Sequence, residues 1–199
     1  AMVRAKINLF ERQQNLENAE KSATFLQNYR DLIQLVEDYT KSQKPYLIIT
    51  HGFSGSGKST LAKLLVEHLG LIQLRADIER KRLHGMQATD QSNSGLYSDL
   101  YSEEASNKTY AQLLKLTRIC LNANYPVIVD ATFLKKKYRQ EFSGLAKKLN
   151  IPFIILHCQA PIEILLNSVE ARQQQCSISE ADTKVLLAQQ QNYDPLTCE

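Results

Sequence analysis

The sequence lacks the features that mark several large classes of protein. It has no tryptophan, only two methionines, and no apolar run of the roughly 18 residues that predict a membrane-spanning helix. Its four cysteines and four histidines are scattered, with no C-x-x-C pair, which argues against a zinc site and favours reduced thiols. A formal net charge of +3 is too small to indicate nucleic-acid binding. We therefore expect a globular cytoplasmic protein without a membrane partner.

One short segment carries the strongest functional signal. The residues HGFSGSGKST at 51–60 match the pattern G-x-x-x-x-G-K-[ST] without a mismatch. Glycines in this pattern let the backbone turn with positive φ and bring N–H groups close to an anion. Lys58 places a positive charge against the β- and γ-phosphates, and Ser59 offers a hydroxyl to Mg²⁺. The segment predicts a nucleotide phosphate site formed by Gly52, Ser54, Gly55, Ser56, Gly57, Lys58, Ser59 and Thr60.

Predicted strands and helices alternate along the chain. Apolar runs at 46–50, 71–74, 126–132 and 152–158 predict strands, and apolar residues at helical spacing follow each of them. The alternation indicates an α/β fold, a three-layer P-loop NTPase with a parallel sheet of four to five strands flanked by helices.

The first 44 residues differ from the rest because they show helical periodicity but no catalytic motif. We predict a helical N-terminal segment over 1–44, either the tail of a preceding domain or a linker, and a P-loop kinase-like domain over 45–199. A partner-binding role for the N-terminal segment stays open.

Two aspartates follow predicted strands, and the carboxyl ends of parallel strands meet at one edge of a sheet. Asp130 ends an apolar run, which is the arrangement of an acid that supports Mg²⁺ beside Ser59. The alternative is an aspartate that caps the next turn. Asp77 has the analogous place and can accept the proton of a substrate hydroxyl. Asp77 could instead cap a helix that begins at Ile78, and the two roles are compatible.

Basic residues surround Asp77 in the sequence. Arg75 and Arg80 are candidates for binding an anionic group of the substrate, whereas Lys81 and Arg82 are expected on a solvated helix face. Further along the chain, the weaker substrate-side candidates are Thr132 and Arg139.

A lid arginine is predicted near the end of a later helix. Arg172 precedes a break at 176–179, where kinases of this architecture place a lid that closes over the phosphates. An arginine there can neutralise the charge that develops during phosphoryl transfer. The alternative is an exposed surface arginine.

Taken together, these segments resemble a known group of proteins. THGFSGSGKST at 50–60, RADIERKRL at 75–83 and PVIVDATFL at 126–134 are similar to the P-loop kinase-like (AAA-type) domain that follows an aminoglycoside-phosphotransferase-like domain in bifunctional proteins. PFIILHCQAP at 152–161 and SEAD at 179–182 match too, so the resemblance covers about 46–196. Wider relatives are gluconate kinase, zeta toxin, chloramphenicol phosphotransferase and the kinase half of polynucleotide kinase.

The resemblance implies phosphoryl transfer from ATP to a substrate hydroxyl, with Asp77 as the base and Mg²⁺ as the metal. It also implies a preceding phosphotransferase-like domain, whose tail the opening residues AMVRAK resemble. Two departures stand out. Ser168 occupies the position where such kinases often carry a second lid arginine, and the chain stops shortly after Tyr193, where relatives commonly add a strand.

Three functions stay open at this point. The first is an ATP-dependent kinase for a small molecule, and the second is a 5′-hydroxyl kinase for nucleic acid. The third is an ATP-binding regulatory module with weak hydrolysis. The acceptor is not coded in any recognisable motif, since the polar stretch at 86–101 that should help select it reads only as a mobile loop.

Overall fold

Four parallel strands form the centre of the chain. The computed structural model describes residues 1–40, 44–87, 90, 102–173 and 183–197. Its strands are β1 (Leu47–His51), β2 (Ile72–Arg75), β3 (Val127–Asp130) and β4 (Phe153–His157), and they lie in the order β2-β3-β1-β4. The predicted α/β fold with a parallel sheet is confirmed, with four strands in the described residues.

Helices connect and flank these strands. Those in the described part are α1 (Met2–Gln14), α2 (Ala19–Thr40), α3 (Lys58–Leu69), α4 (Ala76–Leu83), α5 (Glu103–Asn122), α6 (Lys136–Leu149), α7 (Ile162–Gln173) and α8 (Thr183–Gln191). None of them is long and apolar enough to cross a membrane. Ser102 is the N-cap of α5, because its side chain accepts a hydrogen bond of 3.1 Å from the N–H of Ala105.

The central strands β1 and β3 are buried on both faces, whereas the edge strands β2 and β4 are only partly buried. Successive side chains of a strand point to opposite faces. Leu47 and Ile49 of β1 therefore pack into the cluster that α5 and α6 cover, whereas Ile48 packs with Ala62 of α3 on the other face. Strands buried on both faces are typical of parallel sheets with helices on each side.

The chain divides into two compact units, residues 1–43 and 44–199. In the first unit, α1 and α2 pack on each other and bury Ala5. The N–H of Lys21 donates to the side chain of Asn18 over 3.1 Å, which caps the start of α2. Both elements described in this unit are therefore helices, as the periodicity of the first 44 residues indicates.

Two features of α4 differ from prediction. The helix begins at Ala76, so Asp77 lies in its first turn and Arg75 is the N-cap residue. Lys81 is buried rather than solvated, and its ammonium group donates to the carbonyl of Asp90 over 2.8 Å. The prediction for Lys81 was wrong because the chain after α4 folds back over that side of the helix. Arg82 is exposed, as expected.

Some expectations concern segments outside the described residues. They are most of the predicted loop at 86–101, the predicted break at 176–179 and the SEAD segment at 179–182.

Candidate active site

The P-loop lies between the end of β1 and the start of α3, and its glycines are required by close contacts. Gly52 has a φ of 144°, and a Cβ atom there would lie 2.2 Å from the carbonyl oxygen of Cys158. Gly55 has a φ of 89°, and its Cβ would lie 2.7 Å from the carbonyl oxygen of Leu165 on α7. Both positions therefore exclude a side chain on grounds of conformation and space. Gly57, in the left-handed region, is the N-cap residue of α3.

Lys58, the first residue of α3, is buried with its side chain folded over the loop. Its ammonium group donates to the carbonyl of Phe53 over 2.6 Å and to the hydroxyl of Ser56 over 3.4 Å. The positive charge is thus held inside the loop, at the end of a helix whose own dipole favours an anion. This arrangement suits a phosphate group.

Asp130 ends β3 and is buried next to the P-loop. Burial raises the pKa of its carboxyl group, while a hydrogen bond from Ser59 and the charge of Arg75 act against that rise. Arg75 Nε lies 3.6 Å from a carboxylate oxygen of Asp130, and Gln73 Nε2 donates to the same oxygen over 3.2 Å. A carboxylate and a hydroxyl are oxygen donors of the kind that Mg²⁺ prefers, so Ser59 and Asp130 fit the predicted metal role.

Asp77 projects from the first turn of α4 and pairs with Arg80, whose Nη1 lies 3.2 Å from its carboxylate. The alternative role for Asp77, capping a helix that begins at Ile78, is excluded because the helix already begins at Ala76. Arg80 is held one helical turn away, on the same side of α4 as the acid.

One cavity of about 840 Å³ brings most of the predicted residues together. The residues of the prediction that line it are Ser54, Gly55, Gly57, Lys58, Ser59, Thr60, Arg75, Asp77, Arg80, Asp130 and Thr132. Gly52 and Ser56 instead border a second cavity of about 570 Å³, together with His51 and His157. Arg172 lies in the last turn of α7, and its side chain is outside the described part of the structure.

Thr132 connects the end of β3 to the P-loop. Its carbonyl accepts a hydrogen bond of 3.1 Å from the N–H of Gly52, and its hydroxyl lies 3.4 Å from that of Tyr110. Thr132 also lines the cavity, and its substrate-side role stays a prediction.

Arg139 is not positioned to contact a substrate in the main cavity, so the prediction for this residue was wrong. Its side chain is almost completely buried, with 1% of the residue exposed, and it does not line the main cavity. Its guanidinium group donates to the carbonyls of Phe133, Leu134, Asp194 and Pro195 over 3.0 to 3.4 Å. These bonds join the start of α6 to residues near the end of the chain, so the role of Arg139 is structural.

Sequence reasoning did not single out several residues that line the cavity. Tyr110 and Tyr138 both line the cavity, and their rings stack with centroids 3.7 Å apart. Gln189 of α8 reaches the P-loop from a run of three glutamines, in which nothing local distinguishes it from its neighbours. Three charged residues that line the cavity were also not predicted: Glu103, Lys135 and Lys137.

Comparison with known proteins agrees with this geometry. The AAA_33 family model, described as an AAA domain, matches residues 47–196. The chain belongs to the AAA_33 family. This AAA_33 chain is 27% identical over 191 residues to an uncharacterized protein of Mycobacterium tuberculosis, covering 96% of the chain and 37% of that protein. The chain thus spans little more than a third of the length of the first curated relatives it matches.

Other relatives of the AAA_33 chain are kinases. It is 26% identical over 121 residues to the adenylyl-sulfate kinase of Myxococcus xanthus, with 61% of each protein covered. A sugar kinase from Janibacter sp. superposes with a TM-score of 0.55 at 22% identity, covering 78% of this chain and 81% of that one. A gluconokinase from Sinorhizobium meliloti superposes with a TM-score of 0.53 at 18% identity, covering 77% of each. At such identities the two structures show the shared P-loop kinase fold alone.

Proposed function

We propose that this AAA_33 chain is an ATP-dependent phosphotransferase that transfers the γ-phosphate of ATP to a hydroxyl group of a small molecule. The proposal rests on one observation: Lys58 and Ser59 of the P-loop line the same cavity as the acids Asp77 and Asp130. A nucleotide site alone needs no acid on α4. A transferase needs a donor site and a proton acceptor open to the same space.

On the donor side, the P-loop N–H groups and Lys58 bind the phosphates, and the N-terminus of α3 contributes its dipole. Ser59 and Asp130 would hold Mg²⁺, which when bound would neutralise charge on the phosphate oxygens. Arg75 lies beside Asp130 and supports its ionised form against the effect of burial.

On the acceptor side, Asp77 takes the proton of the attacking hydroxyl. The hydroxyl oxygen forms a bond to the γ-phosphorus, the bond to the β,γ-bridging oxygen breaks, and ADP leaves with that electron pair. Arg80 Nη1, 3.2 Å from the Asp77 carboxylate, holds that acid in place on α4. Arg75, Arg80 and Thr132 are the proposed contacts to the acceptor, and Arg172 is the proposed lid arginine.

The kinase domain is proposed to work within a longer protein. The chain covers only 37% of a curated relative, which is consistent with a longer protein. The resemblance described above alone suggests an aminoglycoside-phosphotransferase-like domain as the neighbour. The unit at 1–43 is then the connection to that domain.

One observation favours a second candidate, an ATP-binding regulatory module with weak hydrolysis. Ser168 of α7 lines the main cavity at the position where related kinases often carry a second lid arginine. A serine supplies no positive charge there, so stabilisation of the transferring phosphate rests on fewer cations. Both candidates use the same residues to bind ATP. They differ in whether the γ-phosphate is transferred to an acceptor or ATP is only bound and slowly hydrolysed.

Product analysis separates these candidates. The chain is incubated with ATP, Mg²⁺ and a panel of hydroxyl compounds that includes a 5′-hydroxyl oligonucleotide, and products are followed by ³¹P NMR and mass spectrometry. We expect a new phosphomonoester of a small molecule that Asp77→Asn fails to form. Glu67→Gln, which removes an exposed carboxylate of α3, is the control and should keep wild-type turnover. Tight ATP binding without any transfer supports the regulatory module, and a labelled oligonucleotide supports the nucleic-acid kinase.

A further inference from the structure

A glutamine of α8 is hydrogen-bonded to the P-loop through both ends of its side-chain amide. The N–H of Ser54 donates to Gln189 Oε1 over 3.0 Å, and Gln189 Nε2 donates to the hydroxyl of Ser54 over 3.0 Å. The two residues lie 135 positions apart in the chain, and both line the main cavity. A paired contact across that separation fixes α8 against the phosphate loop.

The chemistry of the pair leaves hydrogen-bond donors beside the loop. A backbone N–H can only donate, so the Gln189 oxygen faces it and the NH₂ group faces the Ser54 hydroxyl. The bond to Ser54 uses one of the two N–H groups of Gln189 Nε2. Because the Ser54 hydroxyl accepts that bond, its own proton is available for donation. One N–H and one O–H can therefore be directed to the same anion.

The position of the pair indicates which phosphate it meets. In a P-loop the lysine reaches the β- and γ-phosphates, and here the ammonium group of Lys58 lies 2.6 Å from the carbonyl of Phe53, the residue next to Ser54. The Gln189–Ser54 pair thus lies at the same end of the loop as the lysine charge. The end phosphate is the group that ATP has and ADP lacks.

We propose that Gln189, together with Ser54, recognises the terminal phosphate of ATP and so makes this chain distinguish ATP from ADP. The inference rests on the proposed nucleotide site and adds to it a residue outside the P-loop. It requires that ligand binding redirect existing donors, without any movement of α8. Hydrogen bonds to a charged oxygen are stronger than bonds between neutral groups, so their loss should be measurable as affinity.

The test compares two nucleotides by isothermal titration calorimetry with Mg²⁺ present: ADP, and the non-hydrolysable ATP analogue adenylyl imidodiphosphate. Gln189→Ala should weaken binding of the analogue about tenfold or more and change ADP affinity by less than about twofold. Gln189→Glu keeps the acceptor for the Ser54 N–H but replaces the donors with a negative charge. Gln189→Glu should therefore weaken binding of the analogue at least as much as Gln189→Ala does. Gln191→Ala, an exposed glutamine of the same helix, is the matched control.

Coupling between the two residues supplies a second measurement. If both act on one phosphate as a unit, the Ser54→Ala, Gln189→Ala double variant should lose little more analogue affinity than either single variant. Equal weakening of ADP and the analogue in Gln189→Ala shows a merely structural contact and overturns the proposal, as does no weakening at all. A wild-type chain that binds neither nucleotide refutes the proposed function itself, whereas selective loss in the variants supports both.

Discussion

Removing the buried guanidinium group of Arg139 should destabilise the P-loop domain strongly. The group donates to four backbone carbonyls, the shortest bonds being 3.0 Å to Phe133 and 3.1 Å to Asp194. Each buried acceptor left without a donor costs about 1–3 kcal/mol, while loss of a buried charge offsets part of that cost. For Arg139→Met we therefore expect the free energy of unfolding to fall by about 3–5 kcal/mol, less than the full sum for four acceptors because the bonds to Asp194 and Pro195 are only part-buried.

Urea denaturation followed by circular dichroism measures this change at pH 7. Arg139→Lys should lower the free energy of unfolding nearly as much, because one ammonium group cannot span the carbonyls that a planar guanidinium contacts together. Lys147→Met, an exposed basic residue of the same helix, should shift the free energy by less than about 0.5 kcal/mol. A loss below about 1 kcal/mol for Arg139→Met would refute the structural role and reopen the possibility that Arg139 meets a ligand.

Three further predictions follow from the P-loop and its surroundings. Lys58→Ala should weaken binding of an ATP analogue about tenfold or more in calorimetry, because the only charge held inside the described loop is lost; unchanged affinity contradicts the phosphate site. Gly52→Ala should lower the free energy of unfolding by about 1–3 kcal/mol, since its Cβ would lie 2.2 Å from a carbonyl oxygen, whereas Gly144→Ala, with open space around it, should not. Burial raises the pKa of the Cys158 thiol, so iodoacetamide should label it more slowly than free cysteine near pH 8, with a rate that still rises above about pH 9. Peptide mapping by mass spectrometry reads that rate, and labelling as fast as free cysteine is the contrary result.

The donor half of the site could be predicted because its requirements are local. The P-loop pattern fixes residue type at each position, and a strand followed by a helix is visible in the apolar spacing on either side. Asp130 was equally accessible, since an acid that ends a buried parallel strand must lie at the edge where the loop lies. Both depend on neighbours in sequence and on a general property of parallel sheets.

The failures concern residues whose partners are distant in sequence. Arg139 donates to the carbonyls of Asp194 and Pro195, which lie 55 and 56 positions away in the chain. No residue near Arg139 in the sequence indicates these partners. Lys81 is buried because the chain folds back to place the carbonyl of Asp90 beside it. Gln189 meets Ser54 only once α8 is packed against the loop. Lys81 was expected at a solvated helix face and Arg139 at the substrate, and in both cases tertiary contacts decided otherwise.

The claim that donor and acceptor sides share one cavity is tested most directly by Asp77→Asn. Two quantities are measured on the same preparation: the rate of phosphoryl transfer to the acceptor found by product analysis, and the affinity for adenylyl imidodiphosphate. We predict a transfer rate lowered about 10²–10⁴-fold, as for the loss of a general base, with analogue affinity changed by less than about twofold. Transfer at nearly the wild-type rate would contradict the account, because the cavity would then hold a nucleotide without using the acid of α4.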